Sequence, residues 1–167
     1  MMPFEMLIID DEMARGKGYQ QIAIRYPGVF KIEEAAAFTV CDLIRDPEQV
    51  ALTKLMRHKY DLILLDCGFV IHEEQGVDMV VLIRSGFAGR PEAKAGGGLN
   101  RDTYIIGVSD FWDEMKKILE RHLKQHGLER GLDGWTHKRQ ADAQGLCAEL
   151  DKFLVSRDVN TAKVRAL

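Results

Sequence analysis

The chain is poor in cysteine, with only Cys41, Cys67 and Cys147. An odd number without CxxC spacing argues against a disulfide frame and a zinc site and for a reducing compartment, so a cytoplasmic location is expected. A leader-like stretch is missing at the amino terminus. The apolar run there, Met6-Leu7-Ile8-Ile9, ends in Asp10-Asp11-Glu12, too short and too acidic for a signal peptide or a membrane span. Excess charge of one sign is missing too: the net charge of −3 gives no general attraction to nucleic acid or to an anionic membrane. The glycine-rich segment Ala95 to Asn100 lacks the Lys-Ser/Thr ending of a phosphate-binding loop, which argues against a nucleotide site. No internal repeat is visible.

What is present is enough for one folded core. Hydrophobic content of 46% beside 29% charged residues excludes global disorder, and a chain of this length buries roughly 70% of its unfolded surface on folding. Strand-like and helix-like segments alternate. Phe4 to Ile9 reads as a strand, and Ala14 to Tyr26 as a helix ended by Pro27-Gly28. Phe30 to Ala36 is a second strand. Thr39 to His58 is helical with a break at Asp46-Pro47, because proline disfavours helix at the preceding residue. Asp61 to Leu65 reads as a central strand buried on both faces. Gly76 to Ser85 is helical, and the glycine-rich Gly86 to Asp102 is expected to be a mobile loop. Tyr104 to Val108, a charged helix from Phe111 to His126, a glycine turn, a short strand Trp135 to His137 and a helix Asp142 to Leu154 complete the series. This order predicts an α/β fold with a parallel sheet covered by helices on both faces. Residues 1–156 are expected to form one domain, with 157–167 a short tail too poor in apolar residues to fold alone.

Four of the five strand-like runs close on a polar station. Asp10 and Asp11 follow Ile9, Asp66 follows Leu65, Ser109 follows Val108 and Lys138 follows His137. In a parallel sheet all of them lie at the carboxyl edge, where open α/β sheets bind ligands. Taken alone, each has a bland reading: Asp10-Asp11-Glu12 as acids at a helix start, Ser109 as a hydroxyl satisfying backbone, Lys138 as a solvated lysine. Asp66 is the exception, since a carboxylate beside so much apolar surface costs stability unless paired. Together and in this order, Leu7-Ile8-Ile9-Asp10-Asp11-Glu12, Leu64-Leu65-Asp66, Gly107-Val108-Ser109 and Trp135-Thr136-His137-Lys138 resemble the receiver domain of bacterial two-component response regulators over roughly residues 4–155.

That resemblance implies a flavodoxin-like, doubly wound, five-stranded parallel sheet. It also implies transfer of a phosphoryl group to an aspartate from a histidine kinase or histidine phosphotransfer protein. Asp66 would be the nucleophile. Clustered carboxylates repel one another unless a cation neutralises them, and Mg²⁺ takes oxygen ligands, so Asp10, Asp11, Asp66 and the Gly68 carbonyl are the expected metal ligands. Ser109 and Lys138 would oppose the charge on the transferring group. The family's aromatic switch, three positions before the lysine, falls on Trp135, which would move with Ser109 and reshape the face read by a downstream protein; its bland alternative is an ordinary core or groove tryptophan. Homodimerisation through that helix-strand-helix face is common in the family.

Several positions depart from the family pattern. Arg139 stands where proline is usual after the lysine, Asp110 where a small residue leaves the site open, and Cys67-Gly68-Phe69-Val70 where a Met-Pro pair is common; Gly76 keeps the family's glycine. The Asp110 charge is expected to make phosphorylation slow or selective. Only about a dozen residues follow the last helix, too few for a DNA-binding helix-turn-helix. The expectation is therefore a stand-alone phospho-acceptor rather than a turnover enzyme. Two rival readings are a pseudo-receiver that binds a protein without phosphorylation, favoured by Asp110 and Arg139, and a haloacid-dehalogenase-type phosphohydrolase, disfavoured because Gly68 replaces that signature's second aspartate. His122 and His126, four apart on a helix, and the basic stripe Lys116, Lys117, Arg121 and Lys124 both read as solvated or protein-docking surface.

Overall fold

A computed structural model of the chain describes residues 2–10, 17–35, 47–67, 75–86, 98–137 and 144–161. The strands are β1 (Phe4–Ile9), β2 (Phe30–Glu34), β3 (Leu62–Asp66), β4 (Tyr104–Val108) and β5 (Gly134–Thr136). The helices are α1 (Lys17–Arg25), α2 (Pro47–Arg57), α3 (Gln75–Arg84), α4 (Trp112–Gln125) and α5 (Gln144–Ser156). All pairings are parallel, in the order β2-β1-β3-β4-β5, which is the flavodoxin-like arrangement. No helix among the described residues is long and apolar enough to cross a membrane.

The pleat sorts the strands onto two cores. Leu7, Ile9, Ile63, Leu65 and Ile105 pack on one face with α2, α3 and α4 through Leu52, Leu55, Val80, Ile83 and Leu119. The alternate residues Met6, Ile8, Leu62, Leu64 and Ile106 pack on the other with α1 and α5 through Ile22, Tyr26, Leu150, Phe153 and Leu154. Burial on both faces is why β3 reads as an unbroken apolar run, all five of its residues being buried. Each fully buried Leu or Ile contributes about 1.5–3 kcal/mol. Edge strand β2, by contrast, exposes Lys31 and Glu34.

The segment expected to be mobile is tied down where it is described. Asn100, fully buried, donates from Nδ2 to the carbonyls of Leu55 and His58 at 2.7 and 2.8 Å and accepts the Tyr60 N–H at 2.9 Å. It thereby caps the end of α2 and aims β3. Arg84, the last residue of α3 and also buried, donates to the carbonyls of Gly131, Arg101 and Thr103 and to Asp133 Oδ2 at 2.7–2.8 Å. These groups precede β4 and β5, so the guanidinium clamps the amino edge of the sheet. The start of the tail caps α5. Asp158 adopts φ 57°, and the Val159 and Asp158 N–H groups donate to the carbonyls of Leu154 and Val155, both at 3.0 Å. This is a Schellman ending, and it buries Val159 against the α5 core.

Candidate functional site

The order of strands creates a switch point. β1 connects through α1 to β2 on one side, and the chain then crosses to β3 on the other side of β1. Ligands of such sheets bind outside the carboxyl ends at that point. Two aspartates occupy it. Ile9 is in register with Leu65, so Asp10 and Asp66 are neighbours one step beyond, and they are 0% and 1% exposed. Asp66 is in turn level with Val108, which sets Ser109 beside it at the end of β4.

Ser109 is 2% exposed. Its N–H donates to the Thr136 carbonyl at 3.1 Å, and its Oγ accepts the Phe111 N–H at 3.1 Å. The bland expectation for this hydroxyl is thus half right: the oxygen supports the turn into α4, while the hydroxyl proton remains a donor. The Cys67 N–H continues the ladder to the Val108 carbonyl at 2.9 Å. Burial, with the Asp66 charge adding to it, pushes the Cys67 thiol up to about 12.

Gly76, in the first turn of α3, explains how Asp66 is seated. A Cβ at this position would lie 2.6 Å from Cys67 Cα and 2.9 Å from Cys67 C, with the Asp66 carbonyl oxygen closer still. Only a residue without a side chain lets α3 rest directly on the backbone of the acidic strand end. The sequence pattern marks Gly76; only the packing says why.

Trp135 is level with Gly107. Its ring stacks on Trp112, the first residue of α4, with centroids 4.5 Å apart and planes at 11°, and meets His137 edge-on at 4.9 Å. The candidate switch residue therefore touches the helix that Ser109 introduces. Sequence reasoning missed Trp112, which sits one position past a predicted helix start with no periodicity to mark it. It also missed Tyr19. The Tyr19 hydroxyl, reaching from α1, donates to Asp10 Oδ2 at 2.7 Å. Burial first, and then the Asp10 and Asp66 charges, hold this phenol well above its ordinary pKa. The signal available was a tyrosine among apolar helix positions, since buried tyrosines generally place their hydroxyl on a partner.

Asp11, Gly68 and Lys138, together with Arg139, lie outside the described residues. Asp10, Asp66 and Ser109 are brought to one edge as expected. Among the described residues no three His, Cys, Asp or Glu side chains form a group able to hold a metal. Even so, the donor chemistry fits a hard cation: adjacent buried carboxylates offer oxygen only, and their charges disfavour each other until a cation intervenes. His122 Nδ1 lies 3.0 Å from Asp78 Oδ1, linking α4 to α3.

No family model matches the chain, and no curated protein matches its sequence. Solved structures do. A CheY-like receiver domain protein from Methanospirillum hungatei JF-1 superposes with a TM-score of 0.57 over 93% of this chain and 97% of its own, at 17% identity. A response regulator from Thermotoga maritima gives 0.56 over 93% and 99%, at 19% identity. The receiver domain of the Francisella response regulator 1452 gives 0.54 over 92% and 98%, at 18% identity. The chain has the receiver-domain fold over most of its length.

Proposed function

We propose that this chain is a response regulator receiver that accepts a phosphoryl group on Asp66 from a histidine kinase or histidine phosphotransfer protein in two-component signalling. The observation that carries the reading is the pair of buried neighbouring carboxylates, Asp10 and Asp66, at the switch point of a receiver-type sheet. Two carboxylates held together at the ligand-binding edge of such a sheet are suited to share a divalent cation. Asp10 and Asp66, with Asp11 and the Gly68 carbonyl from the sequence pattern, would hold Mg²⁺. When bound, the ion supplies charge neutralisation for the carboxylates and the phosphoryl oxygens.

The protein's own part is positioning. A carboxylate oxygen of Asp66 attacks phosphorus, the bond from phosphorus to the donor's imidazole nitrogen breaks, and the imidazole keeps the electron pair. The Ser109 proton, not engaged by the Phe111 N–H, is directed to a phosphoryl oxygen, and the Lys138 ammonium serves a second one. Acyl-phosphate hydrolysis by water later restores the carboxylate, so the chain is a phospho-acceptor with self-catalysed turnover. The new dianion draws Ser109 inward, and because Trp135 stacks on α4, the α4-β5-α5 face changes for a downstream protein. The resting place of the protein in this reading is the cytoplasm.

Incubation with Mg²⁺ and acetyl phosphate, followed by intact mass, tests the reading. A gain of one phosphoryl group that disappears in Asp66→Asn is expected. No gain with acetyl phosphate, phosphoramidate or a phosphorylated histidine donor overturns it and leaves the pseudo-receiver. Steady release of phosphate from small esters points instead to a phosphohydrolase.

A further inference from the structure

We propose that Tyr19 is a positioning residue of the acidic site, its hydroxyl holding the Asp10 carboxylate in the orientation that receives Mg²⁺. The inference rests on the reading of Asp10 and Asp66 as a metal and phosphoryl site, and it adds a residue that no motif assigns. Two observations support it. The hydroxyl donates to Oδ2 of a carboxylate that is itself 0% exposed, at 2.7 Å. The Tyr19 ring, partly buried, packs against the core cluster that includes Met6 and Ile8, which gives the hydroxyl a fixed origin.

A carboxylate accepts at about four lone-pair sites, so accepting one phenolic donor is compatible with ligating a cation. What the donor removes is rotation of the carboxylate. Groups that hydrogen-bond a metal ligand in this way typically affect metal affinity by about 10–100-fold.

The test compares wild type, Tyr19→Phe and Asp10→Asn by calorimetric Mg²⁺ titration, with thermal unfolding of the metal-free chains measured alongside. Tyr19→Phe keeps the ring and removes the hydroxyl alone. The expected result is Mg²⁺ affinity weaker by at least tenfold, with the rate of labelling by acetyl phosphate restored to the wild-type value once Mg²⁺ saturates. A residue that merely supports packing would lower the unfolding temperature and leave the Mg²⁺ titration where it was. Unchanged or tighter Mg²⁺ binding in Tyr19→Phe overturns the positioning role while sparing the wider reading. Failure of wild type to bind Mg²⁺ at all overturns both. If Tyr19→Phe does not fold, Tyr19→Met, which fills the same apolar space without a hydroxyl, carries the same expectation.

Discussion

Replacing Gly76 by alanine tests whether α3 sets the position of Asp66. The added Cβ would stand 2.6 Å from Cys67 Cα, whereas an ordinary contact begins at 3.4 Å, so helix and strand end must separate by about 0.8 Å or more. Neither neighbour is a flexible side chain; both are backbone, one of them in the fully buried β3. Overpacking of this kind costs about 1–3 kcal/mol, against which alanine's better helix propensity returns at most ~1 kcal/mol. With that return taken in full the net cost is about 0–2 kcal/mol; for a chain of this size each kcal/mol moves Tm by roughly 2–4 °C, so a fall of up to about 8 °C is expected. The effect on chemistry is larger, because displacement of a reacting group by about 1 Å can cost ~10²-fold in rate. Phosphoryl uptake from acetyl phosphate should drop by at least about tenfold in protein that is still folded. Gly98→Ala is the control, since a Cβ there meets nothing within 4 Å; it should leave both Tm and labelling unchanged. Gly76→Ala with wild-type labelling would refute the idea that direct backbone contact of α3 seats the acidic strand end, whatever its Tm.

Other predictions address separate parts of the molecule. Arg84→Leu strips donors from three carbonyls and from Asp133; breaking a buried ionic cluster costs about 3–5 kcal/mol, so Tm should fall by roughly 10 °C in a thermal melt. Because the cluster is at the opposite sheet edge from Asp66, the folded fraction should label normally. With its thiol pushed up to about 12, Cys67 is almost wholly protonated at pH 8 and should resist iodoacetamide in the native chain but react in denaturant, as peptide mapping would show. Glu33 is held below the ordinary carboxylate range by its hydrogen bonds to Lys54 and to Tyr60, and by the Lys54 charge. A depressed folded pKa means stability present above the unfolded value of about 4.3 and lost as pH falls through the lower folded value. The Tm advantage of wild type over Glu33→Gln should therefore shrink steadily below about pH 4.

The sequence by itself determined the alternation of elements and hence the parallel sheet, because apolar runs of strand length and helical periodicities are local signals. β1 and β4 were legible to the residue, and Asp10, Asp66 and Ser109 could be placed at one edge because parallel strands all end on the same side. Boundaries set by pairing were less legible: β2 ends at Glu34 rather than at Ala36, and β5 runs Gly134–Thr136, one step earlier than the aromatic run suggested, because register with Ile106 and Val108 decides its extent. Only the tertiary structure could decide that Tyr19 reaches Asp10, that Trp112 stacks on Trp135, that Gly76 bears on the Asp66 backbone, and that Asn100 and Arg84 anchor a glycine-rich region. Each of these is a contact between different segments of the chain, fixed by the way one element packs on another. Local pattern carries which face a residue occupies; the distance and angle at which two faces meet come into being only when the whole core closes.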